Sequence, residues 1–325
     1  MDLLLRLDIP RLPQLIVYGD RMLAIGSCFT EHMTARLEAH KFSVLNNPHG
    51  ILFNPLSVAD ALDSYVQGRQ YGAEDLFFLN ELWNSWAHHS RFSHPSQEAA
   101  LAGIAASQEA AGKGIREADW VIVTMGTAYQ YFLREGDKPV ANNHRAPAQW
   151  FEKRLLDVDL IVEAWSATLE GLRAVNPGGQ VIFTVSPVRH IRDGAVANNR
   201  SKGRLLDAVH TLCERFNNVH YFPAYELVID VLRDYRFYDI DLVHPNYAAT
   251  SAVWDEFVKA CIAPAARPVM EAVRDITIAA NHRPRFPDTE AHRRFKAGYA
   301  EKVRALMAQH PSLDLGEELG YFERP

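Results

Sequence analysis

The ten residues Met22-Leu23-Ala24-Ile25-Gly26-Ser27-Cys28-Phe29-Thr30-Glu31 change periodicity within two positions, and that change constrains the fold more than any other feature. Leu23, Ala24 and Ile25 form an unbroken apolar run closed by Gly26, the pattern of a buried strand in an α/β sheet. Beyond it, Phe29, Met33 and Leu37 recur every fourth residue, which lines one face of a helix. Ser27 therefore stands at the corner between strand and helix. Ligands of open α/β sheets bind outside the carboxyl ends of the strands, at such corners. The free N–H groups of the starting helix also favour negative charge there. Two readings of Ser27 follow: a helix cap, or a hydroxyl that does chemistry. The Gly-Ser pair alone does not separate them.

Strand–helix alternation continues along the 325 residues. A second short strand is predicted at 42–45, followed by a turn-rich loop over 46–55. Ser57 is read as the cap of a helix carrying Val58, Ala61, Leu62 and Tyr65. An aromatic stretch at 76–92 and an Ala-rich helix over 96–118 come next. Trp120-Val121-Ile122-Val123-Thr124-Met125 reads as a buried strand ended by Gly126-Thr127, and residues 129–140 as a hairpin turning at Gly136-Asp137. A helix at 158–175 stops at Asn176-Pro177-Gly178-Gly179. The spacing then predicts a strand at 181–185, a helix at 201–216 and a last strand at 219–222. Terminal helices at 248–262 and 287–309 flank a Pro-rich link. This alternation predicts a parallel sheet covered on both faces. The expected division is an N-terminal arm (1–20), an α/β domain (21–262) and a C-terminal helical extension (263–325).

A net charge of −6 gives no basic footprint for nucleic acid. No apolar run reaches the roughly 18 residues that span a bilayer, and the N-terminus does not read as a signal peptide. Three cysteines, Cys28, Cys213 and Cys261, form no disulfide framework and suit a reducing compartment. The expected location is the cytoplasm.

A serine hydroxyl needs a base to become a nucleophile, and histidine titrates near neutral pH. Two Asp-x-x-His matches occur, Asp207 with His210 and Asp241 with His244. The first falls inside a predicted helix, where the spacing faces both side chains the same way and reads as a surface pair. The second lies in a loop after the last strand and is followed by Pro245-Asn246. Its carboxylate would fix the tautomer of the imidazole and stabilise the imidazolium. Ser27, His244 and Asp241 form the expected set. No Gly-x-Ser-x-Gly elbow surrounds Ser27, so the α/β-hydrolase fold is not expected.

The motifs taken together resemble a known family. Gly26-Ser27-Cys28-Phe29-Thr30 is similar to the signature that names the GSCFA domain, with Thr30 in place of its final alanine. The resemblance runs on through Asn47-Pro48-His49-Gly50-Ile51-Leu52-Phe53-Asn54-Pro55, Trp86 to Ser93, Thr124 to Ala128, Ala141 to Arg145, Thr184 to His190 and Asp234 to Pro245. It covers roughly residues 20–260. It implies membership of the SGNH/GDSL hydrolases and a flavodoxin-like three-layer α/β/α fold. It matches Ser27 to the nucleophile, Gly50 to a backbone oxyanion donor beside the Ser27 N–H, and Asp241 and His244 to the last block. The superfamily's third block, Gly-x-Asn-Asp, carries an asparagine that donates to the oxyanion. Here Gly126-Thr127-Ala128-Tyr129 lacks it, and alanine cannot donate. Thr127 is the first candidate replacement, Asn142 and Asn143 the second and Asn54 the third.

Arg189, His190, Arg91 and His144 are candidates for substrate binding, the arginines as clamps on an anionic group or as salt bridges between strand ends. Cys28, first in its helix, is expected to turn inward as a small hydrophobe, although a thiolate at a helix N-terminus is the other reading. The histidines form no metal-ligand spacing, and neither metal nor cofactor is expected. Trp83 and Trp86 read as core aromatics before sugar platforms. The expected activity is hydrolysis of an O-acyl ester, with a small-molecule or saccharide ester as substrate. The alternatives are O-acetyl transfer in surface-polysaccharide metabolism and a non-catalytic carbohydrate-binding protein.

Overall fold

Strand β1 (Arg21–Gly26) is buried from Met22 onward, and the rest of the molecule is layered around it. The computed structural model describes residues 5–324, so the first four residues of the expected 1–20 arm lie outside the described residues. β1 leads into α1 (Cys28–Ala39), β2 (Ser43–Asn46) and α2 (Pro55–Gln67). A hairpin of β3 (Leu76–Leu79) and β4 (Leu82–Ser85) precedes α3 (Gln97–Glu117) and β5 (Trp120–Met125). A small antiparallel sheet follows, made of β6 (Tyr129–Leu133), β7 (Lys138–Val140) and β8 (Phe151–Leu155). Then come α4 (Val158–Val175), β9 (Gln180–Val185), α5 (Ala195–Arg215) and β10 (Val219–Tyr221). The short turn α6 (Ala224–Glu226) runs into a π-helix at Leu227–Leu232. Four helices close the chain: α7 (Tyr247–Cys261), α8 (Arg267–Asn281), α9 (Glu290–Gln309) and α10 (Gly316–Glu323).

The main sheet runs β10-β9-β5-β1-β2, and every neighbouring pair is parallel. Numbered within the sheet, this is the order 2-1-3-4-5 of flavodoxin-like doubly wound folds. Alternate residues of the strands feed two cores. Leu23, Ile25, Val121, Val123 and Phe183 pack against α2 to α5, where Tyr65 and Trp165 are fully buried. Met22, Ala24, Ile122 and Ile182 pack against Phe29, Met33 and Leu37 of α1 and against Trp254 and Phe257 of α7. The expected three layers and mainly parallel sheet are therefore present, with a C-terminal helical region. Before β1 the chain is pinned to the end of α7, where Ile16 N–H donates to the Cys261 carbonyl at 2.8 Å.

The structure departs from the expected elements in several places, and β8 and α10 are elements that were not expected at all. Asn54, not Ser57, caps α2: its side chain accepts from the Ser57 N–H, and Pro55 follows at the first helical position, where its missing N–H costs nothing. The aromatic stretch at 76–92 contains the β3–β4 hairpin, turned by the left-handed pair Asn80 and Glu81. The Pro-rich link contains α8, because Pro268 sits in the first turn, where proline is tolerated. Helix α5 starts six residues earlier than predicted. The buried residues of its first turns, Asn198, Ser201 and Lys202, are polar and carry no apolar periodicity.

Candidate active site

Gly26 makes the turn that presents Ser27. Its φ of +141° is open to glycine, and a Cβ there would lie 2.2 Å from the Thr124 carbonyl oxygen of β5. Ser27 is the N-cap residue of α1, yet its side chain makes no capping hydrogen bond. Its Oγ is buried and has no hydrogen-bond partner, and the residue is only 1% exposed. The cap reading therefore fails on geometry. An unpaired buried hydroxyl is costly, and such groups call for a functional or structural reason.

Asp241 and His244 form one unit. Nδ1 of His244 lies 2.6 Å from Asp241 Oδ2, and Asp241 Oδ1 accepts from the N–H groups of Val243 and His244. Bonds from the His244 N–H and ring hold the Asp241 carboxyl down at about 2, so it stays ionised. Leu242 between them takes a left-handed φ of +57°. The loop is tied to the exit of β9, where Arg189 N–H donates to the Val243 carbonyl at 3.1 Å. His244 is close enough to His32 of α1 and to His190 to influence their protonation. His32 stands one turn beyond Cys28, so the histidine loop faces the first turns of α1. No hydrogen bond joins Ser27 to His244 among the described residues, so of the expected three-residue set only Asp241 and His244 are hydrogen-bonded to each other. By contrast, Asp207 and His210 are exposed on α5, and His210 packs edge-on against Tyr221.

The expected oxyanion donors fare less well. The Ser27 N–H donates to the Thr124 carbonyl at 3.1 Å and the Gly50 N–H to the Asn47 carbonyl at 2.7 Å. The first continues the β1–β5 pairing and the second closes a turn, so neither N–H is free in this conformation. The Thr127 hydroxyl pairs with Ser201 Oγ and accepts from the Tyr129 N–H, so it holds its turn. Asn142 and Asn143 use their side-chain oxygens on the N–H groups of His144 and Arg145, both in left-handed conformations. Asn54 spends only its oxygen, on the α2 cap, and stands next to Phe53, whose carbonyl accepts from Gly126 and Thr127.

Of the expected binding residues, Arg91 braces the 47–50 loop by donating to the carbonyls of Asn47 and Pro48. Arg189 is held by hydroxyls, not carboxylates: it donates to Tyr238 and Tyr235 and lies over both rings. Among the described residues no salt bridge to Arg189 is found, so the strand-end salt bridge, one of the two readings, does not apply to it. His190 packs edge-on against Phe53, and burial pushes its pKa down to about 4. His144 donates to the Ser85 carbonyl at 2.7 Å and packs with Phe77 and Trp86, away from the Ser27 turn. Trp86 stacks on Phe77 at 3.6 Å, as core aromatics do. A cleft lined by Asp60, Arg69, Tyr71 and Trp86 lies between α2 and the hairpins, and neither Ser27 nor His244 lines it.

Cys28 corrects another expectation: it is half-exposed, while Ser27 is the buried member of the pair. Burial and the Glu31 carboxylate both push its thiol up, away from thiolate. One functional-looking residue escaped the sequence altogether. Lys202 on α5 is 1% exposed, and its Nζ donates to the carbonyls of Gly126 and Ser186, each at 2.6 Å.

A family model, the GSCFA family, matches residues 21–257. The chain belongs to the GSCFA family. A second model, the GSCFA domain protein C-terminal domain, matches residues 273–324 of this GSCFA protein. A search of curated proteins finds no match. Among solved structures, the GSCFA chain is similar to an acetyl xylan esterase, Est2A, from the rumen bacterium Butyrivibrio proteoclasticus. The two are 14% identical with a TM-score of 0.37, over 75% of this chain and 64% of that one. The match thus spans less than two thirds of the esterase, and a likeness this weak bears on neither fold nor function.

Proposed function

We propose that this GSCFA protein is a serine acyl hydrolase of SGNH type, with residues 21–262 carrying the site and 263–325 forming an added helical unit. The observation that carries the reading is the Asp241–His244 pair, held at 2.6 Å in a loop that faces the same carboxyl sheet edge as the Gly26-Ser27 turn. In the proposed reaction Ser27 Oγ turns from its buried position toward His244 Nε2 and gives up its proton. The Oγ–carbon bond forms as the carbonyl electron pair moves to oxygen. Collapse of that intermediate expels the alcohol, which takes the proton from His244. Water then repeats the sequence and releases the acid; an acceptor hydroxyl in its place gives acyl transfer. An O-acetyl carbohydrate is the proposed substrate class. A non-catalytic role is the second reading, favoured by the buried, unpartnered Ser27 hydroxyl.

A fluorophosphonate probe separates the two. Wild type and Cys28→Ala are expected to be labelled, and Ser27→Ala is not. Equal labelling of all three proteins sinks the assignment of Ser27, and turnover of p-nitrophenyl acetate then identifies whether any catalyst remains.

A further inference from the structure

Lys202 is buried in a helix whose neighbours offer it no carboxylate. Its Nζ instead bridges two strand ends, accepting partners being the Gly126 carbonyl after β5 and the Ser186 carbonyl after β9. An ammonium has three donors and no acceptor, so one N–H is left without a partner among the described residues. Burying a charge without a counter-ion costs several kcal/mol. Chains keep such groups where a site needs them.

The surroundings say which site. Gly126, whose carbonyl holds Nζ, lies two residues past Thr124, whose carbonyl accepts from the Ser27 N–H at 3.1 Å. The ammonium therefore sits at the β5 exit that adjoins the Ser27 turn, and it and the Cys28 thiol influence each other's ionisation. The N–H groups of Cys28 and Phe29 open α1, and the side chain of its N-cap residue, Ser27, makes no capping bond to them. A helix N-terminus and a buried cation thus converge next to Ser27. This is also the edge where the expected side-chain amide is missing, since Ala128 follows Gly126-Thr127.

We propose that the Lys202 ammonium offsets the negative charge developing on the substrate's carbonyl oxygen, in place of that amide. The inference rests on Ser27 as nucleophile. Lys202 keeps its proton throughout, and the two backbone carbonyls fix Nζ so that only its third N–H remains to be used. A preorganised donor in a dry site needs no reorganisation as the reaction proceeds. Three titratable groups face Nζ: Cys28 on α1, His190 after β9 and the Tyr225 ring on α6. Burial pushes the lysine pKa down to about 7, so its charge is lost just above neutrality.

The test compares fluorophosphonate labelling of wild type, Ser27→Ala and Lys202→Met, with melting midpoints measured in parallel. The phosphonyl oxygen gathers charge as the carbonyl oxygen does. Methionine is neutral and of similar volume; it removes a buried charge but leaves the Gly126 and Ser186 carbonyls without their donor, two effects that oppose each other. Lys202→Met is expected to remain folded, with a melting midpoint close to that of wild type, and to label about 10²–10³-fold more slowly. The wild-type rate is expected to fall as pH rises from 7 to 9, a limb that Lys202→Met lacks. Equal rates and matching pH profiles overturn the proposal. So does slow labelling accompanied by a lower melting midpoint and a level wild-type profile, which marks Lys202 as structural only. Absence of labelling in wild type is a different failure: it removes the Ser27 assignment itself.

Discussion

At the scale of single residues, the site depends on contacts that tolerate no substitution in one direction. A methyl group on Gly26 meets the Thr124 carbonyl oxygen at 2.2 Å, in a backbone conformation that only glycine adopts freely. Gly26→Ala is expected to cost more than about 2 kcal/mol of stability in urea unfolding, and a wild-type midpoint contradicts this account of the turn. His244→Ala is expected to abolish hydrolysis and Ser27 labelling, while His210→Ala leaves both near wild type. The reverse pattern assigns the chemistry to the α5 pair. These residues were legible in the sequence because each signal is local: a glycine closing an apolar run, a carboxylate three residues before a histidine. Lys202 was not. A lysine within a helix reads as solvent-facing, and only the tertiary approach of two strand-end carbonyls makes it buried. The engagement of the Ser27 and Gly50 N–H groups was hidden for the same reason, since one depends on strand pairing and the other on how a turn closes.

At the scale of elements, the loop between β2 and α2 leans on a stack of buried neutral histidines. His49 and His88 lie face to face at 4.1 Å; His49 pairs with Tyr65 and Tyr71 and His88 with Ser85 Oγ. Burial pushes His88 down to about 3 and His49 well below the ordinary histidine range. Below the unfolded value of about 6.5 the unfolded chain binds protons that the fold refuses. Stability is therefore complete above that pH and falls as pH drops toward 3, by up to about 1.4 kcal/mol per pH unit for each histidine. Urea midpoints at pH 7.5, 6 and 5 are expected to decline steadily, and His88→Asn to flatten the decline. Midpoints that stay level from 7.5 to 5 contradict it. Elements with strong periodicity, such as β5 and α4, could be read from spacing within a residue or so of their bounds. β8 and α8 could not: β8 is defined by pairing with β6, and the prolines that open α8 look like a linker until the first turn is seen.

At the scale of the whole molecule, α9 and α10 cover an apolar stripe of α8. Ile276 and Ala279 of α8 pack with Ala300, Val303 and Phe322 of α9 and α10, and Lys41 after α1 pairs with Glu318 of α10 at 2.7 Å. A chain ending at residue 282 uncovers that apolar stripe. Its melting midpoint is expected to fall by several degrees and its binding of a hydrophobic dye to rise; an unchanged midpoint shows that the extension is merely appended. The parallel topology also sets an order of assembly during synthesis. β1 lies inside the sheet between β2 and β5, but β5 is made only after three helices and a hairpin have emerged, so that pairing waits on distant chain. On the proposed assignment the nucleophile lies in the first strand–helix unit of the family segment and the base near its end. A nascent chain therefore carries its serine through the synthesis of most of that segment without a partner to activate it, and is chemically silent until the histidine loop has emerged.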